Sequence, residues 1–167
     1  FSAISQNKDM TFTPRFYSSD KILLQTEYRQ ENFESSHISD VSLLKEKDLN
    51  SKTHFFYKYN KMIDIANFDE GNLNLKFEKT SNDTYLRGNK LISPIINSYD
   101  VLENTINLDL YSENLSLKSE IKVYEKLNEE RNNDKFEYIL PKIDIVKRFK
   151  NNTILNGDFL LKSNNFI

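Results

Sequence analysis

The sequence has no cysteine, no tryptophan and, among 167 residues, only 3 glycines and 3 prolines. The absence of cysteine excludes disulfides and thiolate chemistry, and it leaves the redox compartment undetermined. A formal net charge of −2 creates no net basic field, so nucleic acid is not expected as a partner.

Catalytic motifs are also missing. The sequence contains no G-x-S-x-G element, no P-loop and no glycine-rich dinucleotide turn, so nothing positions a nucleophile or cradles a phosphate. Neither of the two histidines, His37 and His54, lies near a cysteine or carboxylate at metal-ligand spacing. We therefore predict no enzyme, no metal and no cofactor, and we expect both histidines to be solvated or to face a wet lumen.

Long apolar runs are absent as well. No stretch of about 18 or more apolar residues exists, which excludes a transmembrane helix. A membrane barrel is not excluded, because its strands cross on about 9–11 residues and carry only every second side chain to the lipid. Aromatic residues make up 13% of the chain, with 12 Phe and 9 Tyr, and such residues favour amphipathic strands.

The feature that is present is a regular alternation of apolar and polar side chains. Over residues 11–30 it predicts a β-hairpin with its turn at 18–21. The same alternation recurs over 38–44, 52–65, 73–78, 102–110, 115–123, 136–149 and 155–162, while 45–51, 81–100 and 125–135 read as connections. The pattern predicts an all-β, antiparallel up-and-down meander of about nine or ten strands, with no confident helix.

Two architectures fit this alternation. In a soluble or surface-displayed β-sandwich, which would bind a ligand or partner through its loops, the apolar faces of two sheets pack together. In a membrane barrel, the apolar face meets lipid and the polar face lines a wet interior. The long strand predicted over 52–65, the up-and-down order of the hairpins and the many charges on the polar faces favour the barrel.

Several segments resemble one protein family in order and spacing. They are 2–4 (SAI), 8–15 (KDMTFTPR), 24–29 (LQTEYR), 81–87 (SNDTYLR) and 136–142 (FEYILPK). All are similar to barrel elements of the LptD family of lipopolysaccharide-assembly outer-membrane proteins, also called the organic solvent tolerance family. The resemblance implies that residues 1–167 are the N-terminal part of a large transmembrane β-barrel domain, without the periplasmic jelly-roll domain and the closing strands.

The resemblance also implies a function in outer-membrane biogenesis. Members of the family lie in the cell outer membrane of Gram-negative bacteria, receive lipopolysaccharide from a periplasmic bridge protein and release it sideways into the outer leaflet. The implied partners are lipopolysaccharide, membrane lipid, the bridge protein and an LptE-like outer-membrane lipoprotein that plugs the barrel. This sequence departs from the family in lacking the earlier gate proline and the cysteines that some members pair.

Pro14 is the candidate gate residue. A proline has no N–H to give to a neighbouring strand and is tolerated at an edge or weak seam. Its position matches that of a family proline near the seam between first and last strands, so we predict a locally weak ladder and a lateral gate there. The alternative is that Pro14 merely marks an edge or bulge.

The alternation assigns further residues to the two faces of the predicted barrel wall. The predicted lipid-facing residues are Phe12, Phe16, Phe55, Tyr57, Tyr59, Leu75, Phe77, Leu108, Leu110, Ile121 and Val123. The predicted lumen-facing residues are Arg15, Glu27, Arg29, Lys58, Lys76, Glu78, Lys118 and Glu120.

Overall fold

A computed structural model of the chain describes residues 2–17, 20–47, 49–128, 132–149 and 157–163. These residues form one sheet of ten antiparallel strands in which each strand pairs with its neighbours in sequence. The strands are β1 (Ser2–Ser5), β2 (Lys8–Tyr17), β3 (Lys21–Glu31), β4 (Ser35–Glu46), β5 (Lys52–Met62), β6 (Glu70–Thr80), β7 (Val101–Tyr111), β8 (Leu115–Lys126), β9 (Phe136–Phe149) and β10 (Gly157–Ser163). The predicted all-β, up-and-down antiparallel meander is therefore confirmed, as an open sheet with β1 and β10 at its edges.

The strands differ in length from their sequence patterns. The pattern over 52–65 runs past the end of β5 at Met62, although Ile63 still donates its N–H to Gly71 O at 2.9 Å, in register with the pairing of β5 and β6. The weak pattern over 38–44 becomes β4, a strand of 12 residues, because its neighbours on both sides complete its hydrogen bonds. The predicted strand position Leu155 lies outside the described residues.

Two short helices interrupt the connections. The helix α1 (Tyr85–Asn89) lies in the long connection between β6 and β7, and α2 (Asn132–Lys135) precedes β9. Apolar spacing over so few residues is too short to predict a helix, which explains why the sequence pattern showed none. Within the described residues, no helix is both long and apolar enough to cross a membrane.

The buried core lies on one side of the sheet, beneath the connection between β6 and β7. Leu23, Leu44 and Phe56 are exceptions to alternation, because they point to the otherwise polar face. There they pack in one cluster with Tyr85, Leu86, Leu91, Ile95, Leu102 and Leu127. Burying each such side chain contributes about 1.5–3 kcal/mol, so this cluster fixes the connection to the sheet.

Candidate functional site

The register of the sheet separates the predicted site residues into two groups. All the predicted lipid-facing residues lie on one face, which we call the apolar face. All the predicted lumen-facing residues lie on the opposite face, the polar face. Strand register thus brings together residues that are far apart in the sequence, because a period of two sends alternate side chains to opposite sides.

The apolar face is largely uncovered. The exposed fraction is 53% for Phe12, 44% for Phe55 and 49% for Ile106, and the described residues place no second sheet over them. Leu110 is an exception to the prediction, since it is only 5% exposed. Exposed apolar patches are typical of surfaces that interact with a partner or a membrane.

The apolar residues of this face form a band across the strands, which we call the apolar band. One row of paired positions joins Phe12 on β2 to Phe55 on β5. Another joins Leu75, Ile106 and Ile121 on β6, β7 and β8. Paired positions of neighbouring strands point to the same side of a sheet, so apolar side chains from distant segments meet there.

The ends of the band carry amphipathic side chains. His37 Nδ1 lies 2.8 Å from the Tyr57 hydroxyl, and its ring is tilted by 33° against that of Tyr59, with centroids 4.5 Å apart. Lys45 and Lys61 occupy the same face one step beyond the apolar residues of β4 and β5. The register aligns His37 with the apolar side chains and not with the predicted lumen, and its side chain is half-buried.

The polar face holds a network of paired charges. Arg29 Nε lies 2.9 Å from Asp9 Oδ1, and Lys76 Nζ lies 2.8 Å from Glu78 Oε1 and 3.0 Å from Glu103 Oε2. Glu78 is only 1% exposed, and its other oxygen accepts the Glu103 N–H at 2.7 Å. The predicted lumen-facing Glu78 therefore lies on the expected face but is shielded from solvent.

The connection 81–100 folds onto this polar face and encloses a polar cluster. Gln25 Nε2 donates to Asp40 Oδ1 and Oδ2 at 3.0 and 2.9 Å and to Ile92 O at 2.9 Å. Ser42 Oγ lies 2.6 Å from the Tyr85 hydroxyl. Burial raises the pKa of Tyr85, although the hydrogen bond with Ser42 acts in the opposite direction.

Three residues of this cluster have the arrangement of a catalytic triad. His54 Nδ1 lies 2.5 Å from Ser42 Oγ, and His54 Nε2 lies 3.2 Å from Asp40 Oδ1. The three side chains are 2% exposed or less, and the Tyr85 hydroxyl contacts Ser42 Oγ. His54 Nε2 makes no hydrogen bond within the described residues. His54 lies on the polar face, the side of the predicted lumen, but it is not solvated, because the connection buries it.

The backbone nitrogen of Pro14, which has no N–H to donate, faces away from β3. Glu31 donates its N–H to Asn7 O at 2.9 Å, and the pairing of β2 with β3 continues from there without a bulge. Because hydrogen-bonded and non-hydrogen-bonded pairs alternate, Pro14 belongs to a non-hydrogen-bonded pair with Leu24. The ladder between β2 and β3 is therefore complete at Pro14. The missing N–H faces the other side of β2, where β1 pairs with Lys8, Asp9 and Met10 and, among the described residues, does not reach Pro14.

No metal site is apparent in the part of the chain that the structure describes, which holds no suitable group of three or more His, Cys, Asp or Glu side chains. In comparisons with known proteins, no protein-family model and no curated protein matches the chain.

Proposed function

We propose that this chain forms part of the wall of an outer-membrane translocon that inserts lipopolysaccharide into the outer leaflet. The observation that carries the proposal is the uncovered apolar band, which runs across the strands and lies opposite a face of paired charges. An apolar outer face opposite a polar inner face is the arrangement that strands have in the wall of a membrane barrel. The choice of lipopolysaccharide as the transported molecule rests on the resemblance of segments 8–15, 24–29 and 81–87 to the LptD family.

The chemistry of lipopolysaccharide fits such a wall. Its sugar-phosphate head needs water while its acyl tails need hydrocarbon, so the polar face would hold the head and the apolar face would border the lipid. For the tails to leave sideways, the wall has to open between two strands. The partners in this proposal are lipopolysaccharide, an LptE-like plug lipoprotein, the periplasmic bridge protein and the lipid of the Gram-negative outer membrane.

Pro14 is the proposed weak point of the lateral gate. Its missing donor faces the uncovered side of β2, so any strand that pairs there forms a ladder with one hydrogen bond fewer. One such bond contributes about 0.5–1.5 kcal/mol, which lowers the free energy needed to part the strands by a similar amount.

The gate is tested by Pro14→Ala in the full-length protein. The restored N–H should strengthen the seam and lower the amount of newly made lipopolysaccharide that reaches the cell surface, measured with an external lipopolysaccharide-modifying probe. Thr13→Ala is the matched control, since Thr13 keeps its backbone bonds with β3. Export that is equal in both variants and in the parent would refute the role of Pro14.

Membrane fractionation tests the wider proposal. The full-length protein should stay with outer membranes after high-salt and alkaline washes and should be released only by detergent. Recovery in the soluble fraction without detergent would refute the translocon and favour the β-sandwich alternative, in which the apolar face is covered by another layer of protein.

A further inference from the structure

We propose that the connection 81–100 is a latch that holds the free edge of β2 against the polar face and has to release before the gate opens. We call residues 81–100 the latch. This inference rests on the proposed function and concerns how the same gate is regulated.

The contact between β2 and the latch is made by Arg15, the residue after Pro14. Its Nη1 donates to Asn89 O at 3.0 Å and to Lys90 O at 3.3 Å. These carbonyls lie at the C-terminal end of α1, where backbone oxygens have no partner inside the helix and favour a cation. Arg15 thus connects β2 to the latch beside the residue with the missing backbone donor.

The base of the latch is held by β3, β4 and β5. Gln25 on β3 donates to Ile92 O, Ser42 on β4 bonds the Tyr85 hydroxyl, and Thr53 N on β5 donates to Ser81 Oγ at 2.7 Å. These contacts join the latch to β3, β4 and β5, which follow β2 in the order of the sheet. The latch therefore bridges β2 and the interior of the sheet on the polar side.

The two attachments differ in how easily they part. Tyr85 and Leu86 are 1% and 0% exposed, so withdrawing the base of the latch would uncover the core. The bond from Arg15 to Asn89 O is part-buried and the bond to Lys90 O is exposed, so water can replace the carbonyls as partners of the guanidinium more easily than it can enter the core. Release at Arg15 detaches β2 from the latch while the core cluster stays intact, which is the behaviour required of a reversible gate.

Hydrogen exchange of the full-length protein in detergent micelles tests the attachment. In Arg15→Gln, the amides of residues 11–17 should exchange about tenfold faster or more, while those of β7 and β8 should keep their rates. Lys58→Gln is the control, because Lys58 is an exposed cation on the same face and away from the latch. Unchanged exchange of residues 11–17 in Arg15→Gln would overturn the latch.

Whether the latch has to release is tested by joining it covalently to β2. Because the chain has no cysteine, Arg15→Cys and Lys90→Cys can be combined and joined with a short bismaleimide. Surface delivery of lipopolysaccharide by the double-cysteine variant should fall several-fold after cross-linking, compared with the same variant treated with a monofunctional maleimide that cannot join the two cysteines. Full delivery by the cross-linked protein would overturn the need for release.

The two experiments separate the latch from the proposed function. Hydrogen exchange is measured without lipopolysaccharide, so it reports on the attachment of β2 whatever the protein transports. A protein that delivers no lipopolysaccharide even without the cross-link would refute the translocon and, with it, the regulatory role of the latch.

Discussion

Replacing Ile106 by arginine distinguishes a lipid-facing sheet from a water-facing one. Ile106 lies on the apolar face of β7, is 49% exposed, and has Leu75 and Ile121 as its cross-strand neighbours. If this face borders lipid, Ile106→Arg should destabilise the folded protein by about 2–4 kcal/mol, the range for arginine near the middle of a bilayer. If it faces water, the change should remain within about 0.5 kcal/mol.

The measurement is a urea titration of the full-length protein folding into phospholipid vesicles, with the folded fraction read from heat-modifiable migration on gels. Asn107→Arg is the matched control, since Asn107 is the next residue on the same strand but points to the polar face beside Glu120. The control should change stability little. A loss of less than about 1 kcal/mol in Ile106→Arg, or an equal loss in both variants, would refute the lipid-facing assignment of the band.

Three further outcomes follow from the packing and the pKa of buried groups. Gly71→Ala should destabilise the sheet by about 1–3 kcal/mol in a denaturant titration, because its new Cβ would lie 2.5 Å from the backbone oxygen of Ile63; Gly157→Ala, with open space around the new atom, should not. Phe56→Ala should cost about 3–5 kcal/mol and raise hydrogen exchange in the latch, since Phe56 is fully buried beneath it; a loss below about 1 kcal/mol would contradict this core. The raised pKa of Tyr85 favours the neutral phenol in the folded state, so its contribution to stability is complete below pH 10.0, the ordinary value, and is lost as the pH rises through the raised one. Tyr85→Phe should therefore show a smaller fall in stability above pH 10 than the parent, and equal slopes in both would contradict the assigned burial.

The sequence predicted strands well where both neighbours of a strand conform to the same alternation. The hairpin over 11–30 and the order of the strands follow from a period of two, because every backbone group then finds a partner in the next strand. It predicted strand ends less well. The alternation of β5 continues to Ile65 in sequence, yet the strand ends at Met62, and Ile63 keeps only its hydrogen bond to Gly71 of the returning chain.

The polar cluster beneath the latch could not be predicted. Asp40, Ser42 and His54 are ordinary polar positions of two strands, and their burial comes from Tyr85, which is more than 30 residues further along the chain. The one signal in the sequence was the interruption of the polar faces by Leu23, Leu44 and Phe56. Those apolar side chains mark where the polar face is covered.

The amino-acid sequence by itself determined the alternation of side chains, and with it the strands, their up-and-down order and the membership of each face, because these depend on neighbours close along the chain. Only the tertiary structure decided which part of the polar face is buried, which side of β2 lacks a hydrogen-bond donor, and where Arg15 is held. The physical reason is that burial and hydrogen-bond partners depend on distant segments that meet in space. The local pattern of a strand does not show which connection folds over it.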